Sequence, residues 1–328
     1  MNLKKITYLS IITIFFSLSA NAETYDIVDD TFAFNNTDIS GLTSISVTDD
    51  SRAILVNPAA IGIKNGIDGF FSKSVVSSFS KDSFDQLNLA GMYESLNGGV
   101  QIFTPVKSNL PKLNKFYVGI AYPILQGLSV GVGYSNVNPF KEDTSIKENS
   151  LANATVSGIS KTLPSNLVTG EKITQSIDVG LITRPIELFS LGLVVKNVNA
   201  PIFFDTLNNK EIKIARSYLV SIGLRPPLRY FSDRITLTAD AEWVENSDIK
   251  RSKAKFGLNT ELLDGIHING FMLTDLSFKN MSFGFQAGLS FPYLSMGYAS
   301  SFGPTKDAAY LRFTNSKERN LLEKIEEE

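Results

Sequence analysis

From Ile67 onward the chain repeats one theme: about ten residues in which apolar side chains alternate with small or polar ones, then a turn. In Leu128-Ser129-Val130-Gly131-Val132-Gly133-Tyr134 one face carries Leu, Val, Val and Tyr, and the other carries Ser and Gly. Met281 to Leu289 and Leu294 to Ala299 follow the same scheme. Ile235, Leu237, Ala239, Ala241 and Trp243 alternate with Thr236, Thr238, Asp240 and Glu242. A period of two with one apolar face marks a β-strand, because successive side chains leave the sheet on opposite sides. The competing all-β architecture is a soluble sandwich or propeller. Strands of this length with a whole apolar face suit a wall facing lipid instead, and no blade-length repeat is present.

The pattern predicts 14 strands, near 67–76, 85–95, 97–105, 114–123, 127–136, 173–184, 188–198, 213–226, 233–245, 251–262, 265–274, 278–290, 293–301 and 307–313. Their connections alternate. One set is short or turn-like, at 96–98, 123–127, 184–187, 226–232, 263–265 and 291–292. The other is usually longer and more polar, at 77–84, 106–113, 137–172, 199–212, 246–250, 275–277 and 302–306. Outer-membrane barrels are built this way, with short periplasmic turns and longer external loops. Residues 151–159 also read weakly as a strand, but counting them breaks the alternation. They are placed in a long loop with room for a hairpin arm. The expectation is an all-β transmembrane antiparallel β-barrel of about 14 strands. Tyr93, Tyr122, Tyr134, Trp243, Tyr293 and Tyr298 fall towards strand ends, where aromatic girdles sit.

The first 22 residues differ. Lys4 and Lys5 precede an apolar stretch from Ile6 to Leu18, and Ala20-Asn21-Ala22 is a small-residue cleavage site. This predicts a signal peptide removed before Glu23 and a destination in periplasm, outer membrane or medium, of which the barrel pattern selects the outer membrane. The apolar stretch is short for a membrane anchor. The expected division is 1–22 signal peptide, 23–66 N-terminal hatch, 67–313 barrel and 314–328 periplasmic tail.

A barrel of this size needs water or a plug in its lumen. The predicted inward positions are mostly Gly, Ser, Ala and Thr. Charges are sparse there: Asp178, Lys196, Arg225, Asp240, Glu242, Lys253 and Lys255. Asp240 and Glu242 share a face with Lys253 and Lys255 on the next strand, which predicts a cross-strand charge ladder or a selectivity feature. Residues 23–66 do not alternate and are rich in Asp, Asn, Ser and Thr. They read equally as a filler or as a linker, with a turn signal at Asn57-Pro58.

Composition works by exclusion. A net charge of −2 leaves no basic field for nucleic acid. No cysteine is present, which removes disulfides and thiolate metal sites. His267 is the single histidine, so neither a Ser-His-Asp triad nor a multi-histidine metal site can form. Asp49-Asp50 reads as a solvated pair rather than a cation site. No phosphate loop or nucleotide fingerprint appears. The reading is a non-enzyme with no cofactor and no metal.

Two blocks carry a resemblance. Asp49-Asp50-Ser51 followed by Asn57-Pro58-Ala59-Ala60 resembles the N-terminal signature of the FadL/PorV-like outer-membrane β-barrel superfamily. Asp178-Val179-Gly180-Leu181 through Leu191 to Pro201, with Lys196, Asn197, Asn199 and Pro201, resembles a strand of its PorV-like and TraF-type members. The second block favours that branch. The resemblance implies a 14-stranded barrel with the Asn-Pro-Ala segment as an inward hatch. Two roles follow from it. One is transport of hydrophobic or small solutes across the outer membrane. The other is a non-enzymatic part in secretion, with loops that bind exported proteins. The partners would be outer-membrane lipid and either a hydrophobic small molecule or a secreted protein. Transport predicts a pocket of Phe, Leu and Ile beside Asn57-Pro58-Ala59. Secretion predicts apolar loop residues such as Pro201-Ile202-Phe203-Phe204. The sequence departs from the family in a thinned Gly-rich run, reduced to Gly41, and in residues 314–328 after the final aromatic Phe313.

Overall fold

The computed structural model describes residues 44–48, 50–75, 84–105, 113–139, 174–186, 188–200, 202–205, 210–213, 216–226, 235–245, 252–263, 265–276, 278, 281–302 and 306–318. The expected signal peptide, the hatch before residue 44, the loop containing 151–159 and the tail beyond 318 lie outside these described residues.

The strands are β1 (Lys64–Val75), β2 (Phe84–Tyr93), β3 (Leu96–Pro105), β4 (Leu113–Leu125), β5 (Leu128–Pro139), β6 (Thr174–Ile186), β7 (Phe189–Lys196) and β8 (Ile202–Asp205). They continue as β9 (Lys210–Lys213), β10 (Ser217–Leu224), β11 (Ile235–Val244), β12 (Lys253–Leu263), β13 (Ile266–Asp275), β14 (Met281–Ser290), β15 (Leu294–Phe302) and β16 (Lys306–Glu318). Fourteen of them form one closed antiparallel barrel, each paired with its neighbours in sequence, and β1 pairs with β16 to close it. The two others, β8 and β9, form a separate hairpin between β7 and β10.

The expected strands all appear in order, and two stretches differ. Residues 314–318, expected in the tail, extend β16, where Thr314 to Glu318 pair with Asp68 to Lys64 of β1. Lys64-Asn65-Gly66 has no apolar alternation to announce a strand, so only the pairing of the two ends defines both termini. The 199–212 stretch, expected as a loop, carries the β8–β9 hairpin, whose last residue Lys213 the pattern assigns to the next strand. Four-residue strands are too short to establish a period.

Alternation sorts the wall into two faces. Ile67, Phe71, Leu89, Val132, Phe283 and Leu311 are exposed on the outside, with Leu89 at 55% and Val132 at 47%. This is the apolar band of a membrane-spanning barrel, in which closure satisfies the backbone amides that lipid cannot. Tyr93, Tyr122 and Tyr293 are exposed together at the short-turn end, and Trp243 at the other. Tyr298 sits within β15 rather than at its end. Gly127 has φ +73°, and a side chain there would run into the Arg184 carbonyl, so the β4–β5 turn requires glycine.

The buried core lies inside the barrel. Ile45, Ile54, Leu55, Val56, Ala59, Ala60, Ile61 and Ile63 pack against inner-face residues such as Phe70, Met92, Tyr117, Ile182, Val194 and Leu219. The polypeptide immediately before β1 therefore occupies the lumen.

The two-faced wall sets an expected mutational asymmetry. Val132→Arg, mid-strand on the outer face, should cost about 2–4 kcal/mol, and Tyr93→Arg at the rim about 1 kcal/mol or less. Denaturant unfolding in lipid vesicles measures both; equal costs would contradict the assignment of faces.

Candidate functional site: the plugged lumen

The plug is built from short pieces. Ser44 to Thr48 close a turn, with Thr48 N donating to the Ser44 carbonyl at 3.0 Å. A single helical turn, α1 (Ala53–Val56), follows, and then a 3-10 helix over Pro58–Ile63. Asn57 joins these pieces. Its Oδ1 accepts from Ala59 N at 3.0 Å, capping the 3-10 helix. Pro58 sits at the first helical position, where a missing N–H costs nothing. The Asn57 amide Nδ2 donates to the Ile45 carbonyl at 2.9 Å and to the Leu181 carbonyl of β6 at 3.1 Å. One fully buried amide thus ties the turn, the helix and the wall together.

Where the plug comes closest to the wall, the wall residue is glycine. A Cβ on Gly131 would lie 2.5 Å from Pro58 and Ala59, and one on Gly180 would overlap the Asn57 side chain. Gly119 meets Ile54, and Gly192 meets Ile45. These inward glycines let the plug lie directly on the sheet. Asn57, Pro58 and Ala59 are therefore buried against β5 and β6. On this side of the segment backbone packs straight onto backbone, with no space for a pocket between them.

Polar contacts fasten the plug around the barrel. Asp68 of β1 is the centre of one set. Its Oδ1 accepts from Ser51 N at 3.0 Å and Ser51 Oγ at 2.6 Å, and its Oδ2 accepts from Arg312 Nε at 2.9 Å and Nη2 at 2.7 Å. Asp50 accepts from Arg52 Nε at 2.9 Å and faces Arg312 Nη1 at 3.5 Å. Burial pushes the Asp50 carboxyl up, but Arg52 and Arg312 outweigh burial and hold it well below the usual carboxylate range. Asn97 of β3 donates to the Ser51 carbonyl at 2.9 Å, and Arg184 of β6 to the Val47 carbonyl at 3.0 Å. Lys196 of β7 donates to the Leu55 carbonyl at the end of α1 at 2.8 Å. On the far side Asp240 of β11 accepts from Ser44 Oγ at 2.8 Å and from Ser221.

The candidate residues read from the sequence separate into three groups. Asp50, Ser51, Asn57, Pro58 and Ala59 belong to the plug, and Lys196 and Asp240 touch it. Asn197 and Asn199 instead shape the end of β7. Asn197, at φ +56°, turns the chain, and its N–H donates to Asp178 at 2.9 Å. The Asn199 side chain spans the Ile177 N–H and the Gln175 carbonyl of β6, standing in for a strand residue. The register sets Asp240 opposite Lys255 and Glu242 opposite Lys253, away from the Asp68 cluster. Asp49 and Pro201 lie outside the described residues. Sequence reasoning missed Arg52, Asp68 and Arg312. The available signal was a charge at an inward position of both the first and the last strand.

The plug leans on β1–β7, β10 and β11 and meets Arg312 of β16 through Asp50, and a cavity of about 230 Å³ remains between Arg52 and strands β12–β16. Its lining is polar apart from Phe70. His267, facing this cavity, bonds to the Tyr310 hydroxyl and, through Nδ1, to Ser290 Oγ at 3.2 Å.

Two outcomes follow for the plug. Asp68→Ala leaves Ser51 without its buried partner and leaves Arg312 its contact with Asp50, at a cost of about 1–3 kcal/mol. Limited proteolysis should then cleave between Ser44 and Ile63 in the variant and not in the wild type. The Asp50 carboxyl, with its lowered value, stabilises the plug fully above the ordinary carboxylate value of 3.8 and loses that contribution as pH falls below it. Protease resistance should hold from pH 8 to about pH 4 and fail only in stronger acid.

No protein-family model and no curated protein matches the sequence. Solved structures do resemble the fold. The toluene transporter TodX of Pseudomonas putida aligns at 11% identity and TM-score 0.46, over 89% of this chain and 98% of its own. The CymD monoaromatic hydrocarbon channel aligns at 12% identity and TM-score 0.49, over 90% and 99%. The toluene transporter TbuX of Ralstonia pickettii aligns at 11% identity and TM-score 0.48, over 90% and 100%.

Proposed function

We propose that this chain is an outer-membrane channel for small solutes, in which the segment from Ser44 to Ile63 is the gate. The observation that carries this reading is a plug made of the chain's own N-terminal segment, seated on the inner wall beside an open cavity. The contacts that seat it are apolar packing, side-chain hydrogen bonds and ion pairs, none of them a strand pairing, so they separate without unravelling a strand. An outward apolar band supports membrane insertion, and the leader read from Lys4 to Ala22 supports export. The hatch resemblance of Asp50-Ser51 and Asn57-Pro58-Ala59 supports the same gate.

Gly131→Val tests the gate. The new side chain cannot share space with Pro58 and Ala59, yet it stays on the inner face of an intact strand. Planar-bilayer recordings should show several-fold higher conductance than the wild type, with liposomes that swell faster in small sugars. Unchanged conductance in a variant whose plug proteolysis shows to be displaced would sink the proposal.

The β8–β9 hairpin favours a second reading, in which the loop side grips an exported protein. An ordered two-stranded arm offers edges to an extended partner. Deleting residues 202–213 should then release secreted proteins that co-purify with the barrel.

A further inference from the structure

We infer that two turns at the short-turn end, Ile124-Leu125 between β4 and β5 and Phe291-Pro292-Tyr293 between β14 and β15, insert into the lipid of the inner leaflet and anchor the barrel there, while the β1–β16 seam stands clear of it. The inference rests on the outer-membrane reading and adds the depth at which each side of the rim sits. A tight turn in water is ordinarily built from Gly, Asn, Asp and Ser. The connections β2–β3, β6–β7, β10–β11 and β12–β13 each include a charged residue: Glu94, Glu187, Arg229 and Asp264 respectively. The β4–β5 and β14–β15 turns include none. Ile124 is 42% exposed, Leu125 52%, Phe291 53% and Tyr293 60%. Their backbone suits lipid as well. Phe291 N donates to the Leu294 carbonyl at 2.7 Å, and Leu294 N donates back to the Phe291 carbonyl at 3.3 Å. Pro292 has no N–H, and the Tyr293 carbonyl accepts from Thr314 N at 3.0 Å. In the other turn Leu125 pairs with Leu128, and the Gly127 carbonyl accepts from Arg184 N. Turns whose backbone groups are paired lose little on leaving water.

Continuity with the outer band identifies lipid as the partner. Phe116, Val118, Ile120, Tyr122 and Ile124 are exposed at every second position of β4, so the band runs into the turn without a polar step. Phe283, Phe285 and Leu289 of β14 and Met296 and Tyr298 of β15 do the same on either side of Phe291 and Tyr293. At the seam the band stops early. Leu311 and Phe313 are exposed, the next outward residue is the polar Asn315, and β16 continues to Glu318 opposite Lys64. The β2–β3 turn carries exposed Tyr93 and Leu96 beside Glu94, a mixture suited to the headgroup level. In the closed strand order β16, β1, β2 and β3 lie between the two anchoring turns on the seam side, and β6, β7 and β10–β13 on the other. The anchors therefore brace nearly opposite points of the rim. The plug joins β1 at Lys64, within the uncovered arc.

The chain has no cysteine, so single introduced cysteines report single positions. Leu125→Cys, Phe291→Cys, Asn315→Cys and, in mid-band, Val132→Cys are each labelled with bimane. The whole barrel is then reconstituted into phosphatidylcholine vesicles with brominated acyl chains. Bromine should quench the labels at 125 and 291 at least about half as strongly as the label at 132, and the label at 315 at most about a tenth as strongly. Iodide on both sides of the bilayer should give the reverse order. Ile124→Cys and Tyr293→Cys replace either turn variant should it fail to insert. Turn labels quenched by iodide and not by bromine overturn the anchors. Turn labels protected from both quenchers, as a second copy covering the turns would make them, overturn lipid as the partner. Bromine quenching at 315 equal to that at the turns overturns the bare seam. A label at 132 that bromine does not quench overturns the outer-membrane reading itself; a quenched label at 132 with unquenched turns overturns this inference alone.

Discussion

A sheet surrounded by lipid cannot keep an edge, because each unpaired amide in hydrocarbon costs several kcal/mol. β1 must therefore find β16, and it does so along its whole length, from Lys64 opposite Glu318 to Val75 opposite Asp307. That closure brings together Asp68 and Arg312, which are 244 positions apart. Their contact supplies the carboxylate on which Ser51 is fastened. The plug precedes β1 directly, so the residues that close the barrel also seat what fills it.

Closure leaves a lumen too wide for side chains alone, and the packing there reverses that of a soluble protein. Apolar residues of the plug are buried against the inner wall, while the outer wall keeps its apolar band for lipid. Glycine weakens a strand by roughly 0.5–1 kcal/mol relative to alanine. At Gly119, Gly131, Gly180 and Gly192 the close approach of the plug offsets that loss. Because the plug follows this glycine lane, a polar cavity remains between it and strands β12–β16.

Buried charge is handled by local neutrality. Asp50 and Asp68 balance Arg52 and Arg312 within a few ångströms, and Asp240 faces Lys255 across the β11–β12 ladder. The two sets grip opposite sides of the plug, one through Ser51 and the other through Ser44. Each set therefore holds one side of the plug independently of the other.

The strands and their order are legible in the chain because alternation is local. Leu128 to Tyr134 announces β5 without reference to any other segment. The short and long connections are legible for the same reason, and together they give the count of fourteen. The pairing of Asp240 and Glu242 with Lys255 and Lys253 is nearly as local, since β11 and β12 are consecutive. Asn57-Pro58 is legible as a turn, but not as the amide that bridges Ile45 and Leu181. Tertiary structure alone decided that β16 runs to Glu318, that Asn57 to Ala59 lie directly on Gly131 and Gly180, and that Arg52, Asp68 and Arg312 meet. Each depends on segments far apart in sequence that share space only once the first and last strands pair, and no periodicity within either segment encodes that meeting.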